Sequence, residues 1–336
     1  MKKRTPYFII GLLPFLIVVY LMGPKPEAPV YRTQLPSVAP LSEMAPSLDR
    51  EESRLPVKPG NAAQIVWAGA PATQTRYVLL YLHGFGACQE EGNPVHRDFA
   101  RKFGCNLLLS RLYDHGLNEP HPLNRLTPER LWESALQYFA MSRKLGQRVI
   151  VMGTSTGGTL ALKLASVFPD IYAVILYSPN IALNNPAAFI LTAPWGLQMA
   201  KILHGGSEIA SNNKADFYKK YWYDHYGIGA VVQLQEFTET TMTAQTFESI
   251  HQPILLLYYY KDKQHQDPVV KVSAMLDMFG KLGTPADQKE EEAVPDAGTH
   301  VICSSLRSKD VASVEKYTFH FAESVLHMTP VADTIK

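Results

Sequence analysis

The stretch Arg148 to Phe168, RVIVMGTSTGGTLALKLASVF, decides how the rest of the chain is read. It opens on RVIVM (148–152), apolar without alternation, which suits a strand buried on both faces of a parallel sheet. It closes on LALKLASVF (160–168), a helical pattern. Between them Gly153, Thr154, Ser155, Thr156 and Gly157 spell Gly-x-Ser-x-Gly. A strand that turns this sharply into a helix forces the serine into strained backbone geometry, and the residues two before and two after it must be small. Ser155 is therefore a candidate nucleophile. Two phosphate-binding readings fail on single residues: a P-loop needs Lys where Thr159 stands, and a dinucleotide loop at Gly84 and Gly86 needs Gly where Gln89 stands.

A serine hydroxyl attacks poorly until a base takes its proton, so the reading requires a histidine and a group that orients it. Of eleven histidines, His300 stands apart, in the turn-rich Asp296-Ala-Gly-Thr-His300 just before the last helical stretch, where the order nucleophile, acid, base puts it. The acid lies in KDKQHQDPVV (261–270), which holds two candidates. Asp267, followed by Pro-Val-Val ahead of the helix of Ser273, is preferred; Asp262, nearer the strand end, is the alternative. His83-Gly84-Phe85-Gly86 follows the apolar run RYVLLYL (76–82). Its glycines let backbone approach a bound oxyanion closely, so the N–H groups of Phe85 and Thr156 are the candidate oxyanion donors and His83 is scaffolding.

Outward from this centre, RYVLLYL, NLLLS (106–110), RVIVM, YAVILYS (172–178) and PILLLYYY (253–260) alternate with helix candidates at 127–145, 156–168, 272–282 and 310–326. Thr127-Pro128-Glu129 supplies a cap, a first-turn proline and an acid for one of them. Alternating strands and helices predict an open α/β sheet. Residues 180–250 are too long for a loop and read as a helical insertion over one end of that sheet. Within the first sixty residues, Lys2, Lys3 and Arg4 precede an apolar run to Met22, which predicts a membrane or signal anchor over 1–24, with the remainder extracytoplasmic (periplasmic in a Gram-negative cell), or else secreted if the segment is cleaved. Recurrent prolines make 25–60 an expected extended tether, and 61–330 the folded domain.

These pieces, in this order and at strand ends, resemble the α/β-hydrolase superfamily, in particular its carboxylesterase and monoacylglycerol-lipase-like branch with serine-aminopeptidase-type domains. The resemblance covers about residues 62 to 328 and extends to Arg111-Leu-Tyr-Asp114-His115-Gly116, a degraded form of that branch's Asp-x-x-Gly-His-Gly loop. It implies a mostly parallel sheet flanked by helices with a helical lid at 180–250. The implied chemistry is hydrolysis of a small, lipid-like carboxylic ester by Ser155, Asp267 and His300, with neither metal nor organic cofactor. The same triad would serve a peptidase, favoured if Glu208, Asp216 or Glu236 met a substrate amine, and a non-catalytic binding module remains a third reading.

Composition bounds the rest. Lys plus Arg (32) against Asp plus Glu (31) leaves +1, which provides no field for nucleic acid. Cys88, Cys105 and Cys303 lack both zinc spacing and the number a disulfide framework needs, and read as small buried hydrophobes. The oligomeric state stays open.

Overall fold

The computed structural model describes residues 7–331, and side-chain surroundings from residue 14 onward. In chain order the helices are α1 (Tyr7–Leu21), α2 (Leu41–Glu52), α3 (Val95–Phe103), α4 (Pro128–Leu145), α5 (Thr156–Val167), α6 (Gly196–His204), α7 (Asp216–Tyr221), α8 (Ile228–Thr241), α9 (Ala244–Glu248), α10 (Val272–Lys281) and α11 (Val311–Ser324). The strands are β1 (Gln64–Val66), β2 (Thr75–Leu82), β3 (Asn106–Leu109), β4 (Gly146–Thr154), β5 (Ala173–Tyr177), β6 (Glu208–Ala210), β7 (His225–Gly227), β8 (Ile254–Tyr258) and β9 (Lys289–Ala293).

Seven strands form one sheet in the order β1-β3-β2-β4-β5-β8-β9. Only β1 runs antiparallel, against β3. The five apolar runs of the sequence are β2, β3, β4, β5 and β8, and they occupy the middle because both their faces are buried. Along β2 the side chains alternate: Val78, Leu80 and Leu82 join a core with Trp132 of α4 and Leu160 of α5, while Leu79 and Tyr81 join one with Phe99 of α3 and Phe321 of α11. The expected α/β-hydrolase architecture is thus present, a mostly parallel sheet between two helical layers. Thr127 caps α4 by accepting the Arg130 N–H, and Asp310 caps α11 by accepting that of Ser313.

The edge strands were not read from sequence. β9 is Lys-Glu-Glu-Glu-Ala, a charged edge that discourages pairing with another chain and carries no apolar signature. The stretch between β5 and β8 is only partly helical: besides α6 to α9 it contains an antiparallel hairpin of β6 and β7.

The N-terminal sixty residues differ most from expectation. Helix α1 has 15 residues with Pro14 inside it, roughly 22 Å at 1.5 Å per residue, against a hydrocarbon core of about 30 Å. No helix among the described residues is long and apolar enough to cross a membrane. The membrane or signal anchor expected over 1–24 is therefore corrected, and the membrane partner and extracytoplasmic placement drawn from it fall with it. Lys2, Lys3 and Arg4 lie outside the described residues. Nor are residues 25–60 simply extended. Helix α2 buries Met44 and Leu48 in the main core, and Tyr31 packs edge-on against Trp132 and Phe237. Glu52, at the end of α2, receives two hydrogen bonds from Arg111, at 2.6 and 2.9 Å.

Candidate active site

The parallel strands bring their C-terminal ends to one edge of the sheet, where loops after β2, β4, β8 and β9 meet, the usual crevice for ligands in such folds. After β4 the chain turns at Ser155 with φ 53° and ψ −117°, and α5 begins at the next residue. Its N–H donates to Tyr177 O at 3.0 Å, and its carbonyl accepts from Gly158 and Asn180. The flanking glycines are required by contact: a Cβ on Gly157 would lie 1.9 Å from Leu82 O, and one on Gly153 would lie 2.3 Å from Gly157 O. The bend is thus wedged against β2, and Ser155 is 8% exposed.

Asp267 and His300 come together from different loops. Asp267 Oδ2 accepts from His300 Nδ1 at 2.7 Å, while its Oδ1 accepts from the N–H groups of Val269 and Val270 at 2.8 and 3.0 Å. Burial alone would raise the Asp267 carboxyl, but the His300 ring and the two backbone donors more than offset it and hold the group below the usual range. Burial would likewise lower His300, yet the Asp267 charge and hydrogen bond, with a contribution from Glu91, leave it raised. The Nδ1–H is thereby committed to Asp267, which leaves Nε2 as the basic nitrogen. That atom is buried and has no hydrogen-bond partner among the described residues. The Ser155 hydroxyl makes no hydrogen bond to it. The serine and histidine loops are instead joined through their neighbours, Thr154 Oγ1 to Cys303 Sγ at 3.3 Å.

Asp262 is elsewhere. It pairs with His265 at 2.9 Å in an exposed turn and accepts the N–H groups of Gln264 and His265.

The loop after β2 is pinned on several sides. His83 is fully buried; its Nε2 accepts the Leu112 N–H at 3.0 Å and its Nδ1 donates to Gly84 O at 2.9 Å. Burial keeps this ring neutral, with its pKa well below the ordinary value. Gly86, at φ +70°, offers its carbonyl to the Tyr223 N–H at 2.7 Å, which ties the loop to the insertion. The Phe85 ring is half-buried against Tyr226, 5.1 Å between centroids. The Phe85 N–H makes no hydrogen bond with another described residue. Thr156 opens α5, so its N–H is one of the four that a helix start leaves without an intrahelical acceptor.

Two acids missed by sequence reasoning support these loops. Glu91 accepts the Gly84 N–H at 2.5 Å, and Glu52 holds Arg111. Neither spacing nor composition distinguishes them from surface acids. Of the insertion's acids, Glu208 is exposed and within 3.5 Å of His121, and Asp216 is exposed; Glu236 is part-buried on α8.

The model of the alpha/beta hydrolase family matches residues 79–314. A curated relative, the thermostable monoacylglycerol lipase of Bacillus sp. (strain H-257), is 31% identical over 109 residues, 32% of this chain and 42% of the relative. The match thus spans less than half of that enzyme's length. Among solved structures, the metagenome-derived lipolytic enzymes LipS and LipT are represented at TM-score 0.62 and 18% identity, covering 79% of this chain and 98% of that one. A Paleococcus ferrophilus monoacylglycerol lipase aligns at TM-score 0.56 and 14% identity, covering 79% and 98%. At such identities the structural likeness bears on the fold alone.

Proposed function

Since the chain belongs to the alpha/beta hydrolase family, we propose that it is a serine hydrolase that cleaves a small carboxylic ester through an acyl-enzyme on Ser155. The observation that carries this reading is the buried Asp267–His300 hydrogen bond, which commits Nδ1 and leaves Nε2 without a partner at the same sheet edge as a strained serine.

In this reading His300 Nε2 takes the Ser155 hydroxyl proton as Oγ attacks the ester carbonyl. Asp267 holds the ring and stabilises the imidazolium without itself accepting the proton. The oxyanion is met by the N–H groups of Phe85 and Thr156, and removal of one such donor typically costs about 3 to 4 kcal/mol. The imidazolium then gives its proton to the leaving alcohol. Water, activated by the same nitrogen, attacks the acyl-enzyme, and the acid departs as Ser155 recovers its proton.

An ester is favoured over a peptide because none of the three acids that could hold a substrate amine is committed to the buried site: Glu208 is exposed beside His121, Asp216 is exposed, and Glu236 is part-buried on α8 among Glu239, Lys25 and Glu129. The likeness to a monoacylglycerol lipase supports an apolar acyl group. The test is turnover of p-nitrophenyl esters of graded chain length against aminoacyl anilides, together with fluorophosphonate labelling. Ser155→Ala is expected to abolish labelling and to cut ester turnover by about 10⁴-fold or more. Intact turnover in that variant, or faster anilide cleavage by the unsubstituted protein, would overturn the reading.

A further inference from the structure

The loop that carries Phe85 contains a buried acid that the acyl-transfer chemistry leaves unused. Glu91 sits in a short 3₁₀ turn, Gln89–Gly92, and is 3% exposed. No Lys or Arg approaches it within ion-pairing distance among the described residues. Burying a carboxylate without a cationic partner is costly, so its retention calls for a specific contact. That contact is the Gly84 N–H, which donates to Glu91 Oε2 at 2.5 Å. The crowding is severe: a Cβ built on Gly84 would lie 2.9 and 3.0 Å from the two Glu91 oxygens and 3.1 Å from Ser155 Cβ. The carboxylate and the nucleophile therefore press on the same α-carbon.

We propose that Glu91 is a positioning residue for oxyanion stabilisation, acting through the Gly84 backbone on the neighbouring Phe85 N–H. The Gly84 N–H goes to Glu91 and the Gly84 carbonyl to His83 Nδ1, so the peptide units on both sides of Gly84 are fixed. Gly86 O, held by the Tyr223 N–H, fixes the loop on its far side. Between these anchors the Phe85 N–H is left without an acceptor among the described residues, as is that of Gly86, and the Phe85 N–H belongs to the peptide unit that follows the Gly84 α-carbon. A charged acceptor suits this task because N–H bonds to a carboxylate are roughly twice as strong as neutral ones. Glu91 is itself secured at its backbone, where its N–H donates to Cys88 O and its carbonyl accepts from Cys303 Sγ at 3.3 Å. Cys303 is three residues past His300, so the same turn links the oxyanion loop to the base. Burial pushes the Glu91 carboxyl up to about 7, outweighing the Gly84 N–H, His300 and the Trp222 indole, which act to lower it.

The inference rests on the proposed serine chemistry, and the experiment keeps the two apart. Fluorophosphonate labelling at Ser155 and ester turnover are first measured on the unsubstituted protein; their absence overturns both. With them in hand, Glu91→Leu, which removes the acceptor and keeps the bulk, is expected to lower kcat by about 10- to 100-fold with KM within about twofold, because a misplaced oxyanion donor acts on the transition state. The inhibition constant of a trifluoromethyl ketone, whose adduct carries the same oxyanion, is expected to rise in proportion to the loss of kcat. Glu91→Gln, whose amide oxygen still accepts the Gly84 N–H, is expected to restore kcat to within about threefold. If the Leu chain does not fold, Glu91→Asp replaces it, since the shorter acid keeps the charge but not the reach and is expected to lose about tenfold in kcat. A kcat within twofold of unsubstituted in Leu or Asp, or losses in which kcat, KM and melting temperature move together without rescue by Gln, would overturn the proposal and leave the serine chemistry standing.

Discussion

Two buried carboxylates support the same site from different loops, and their environments drive them in opposite directions. Asp267 in the acid loop is fully buried, and burial is the largest influence on it. Even so, two backbone donors and the His300 ring hold it below the ordinary range. Glu91 in the loop after β2 is equally sequestered but has one backbone donor, and there burial wins, pushing it up to about 7. Depth alone does not set the charge of a buried acid; the number and charge of the donors aimed at it do. Asp267 is consequently a permanent anion, suited to holding a base, whereas Glu91 changes charge close to neutrality.

The largest expected effect probes the first half of that contrast. Asp267→Asn keeps the shape but removes the charge that raises His300 and the acceptor that fixes its tautomer, so kcat is expected to fall by about 10³- to 10⁴-fold. The pH profile supplies the sign. In the proposed mechanism His300 works as the neutral base, so kcat/KM should fall as pH drops through its pKa, which Asp267 holds above 6.5. With Asp267 replaced, burial is the leading remaining influence and lowers that pKa, so the residual activity should persist to lower pH than in the unsubstituted protein. A profile that does not move would break the contrast.

Stability against pH tests the second half. The Glu91 carboxyl is raised from 4.5 to about 7, so the folded state binds its proton more tightly than the unfolded chain does. Its contribution is fully present below about 4.5 and is lost as pH rises towards 7, a change of about 3 kcal/mol at 1.36 kcal/mol per unit. Asp267, held low, has the opposite slope in a more acidic window, with stability lost as pH falls through its depressed value. Urea unfolding of Glu91→Gln against the unsubstituted protein at pH 5 and pH 8 reads the first slope. The variant should gain on the parent at the higher pH by an amount of that order, and equal differences at both would show that Glu91 carries the same charge throughout.

What was legible follows from where each signal resides. The central strands and Ser155 are local: an apolar run, two glycines that cannot bear a Cβ, and a helix behind them. His300 as the candidate base needed only chain order and its turn-rich setting. Glu91 was not legible, because Glu90 and Glu91 are adjacent and identical in type, and only the turn decides that Glu91 faces Gly84 while Glu90 accepts from Asn93. The N-terminal residues misled for a different reason. The apolar run to Met22 is long enough as sequence, but the described helix is 15 residues, ends at Leu21 and has Pro14 inside it. The prolines of 25–60 also drew attention from Met44 and Leu48, whose four-residue spacing marks one buried face of a helix.

The smallest expected effect concerns Asp262, and it sharpens the comparison by supplying an acid with donors but no burial. Asp262 precedes Asp267 by five residues and is closer to the end of β8, so chain position alone would favour it. Its carboxyl is lowered chiefly by His265 and by two backbone N–H groups, a donor set much like that of Asp267. Yet both partners of its ion pair are more than half exposed, and solvent screens such pairs so that they contribute little. Asp262→Asn is therefore expected to leave kcat/KM within about twofold and the urea midpoint essentially unmoved, measured in the same ester assay and urea titration as Asp267→Asn. If the two Asn variants lost activity equally, donor count without burial would suffice, and the distinction between the two acids of this loop would fail. If only Asp267→Asn loses it, what matters is a charge kept out of water and aimed at one imidazole nitrogen.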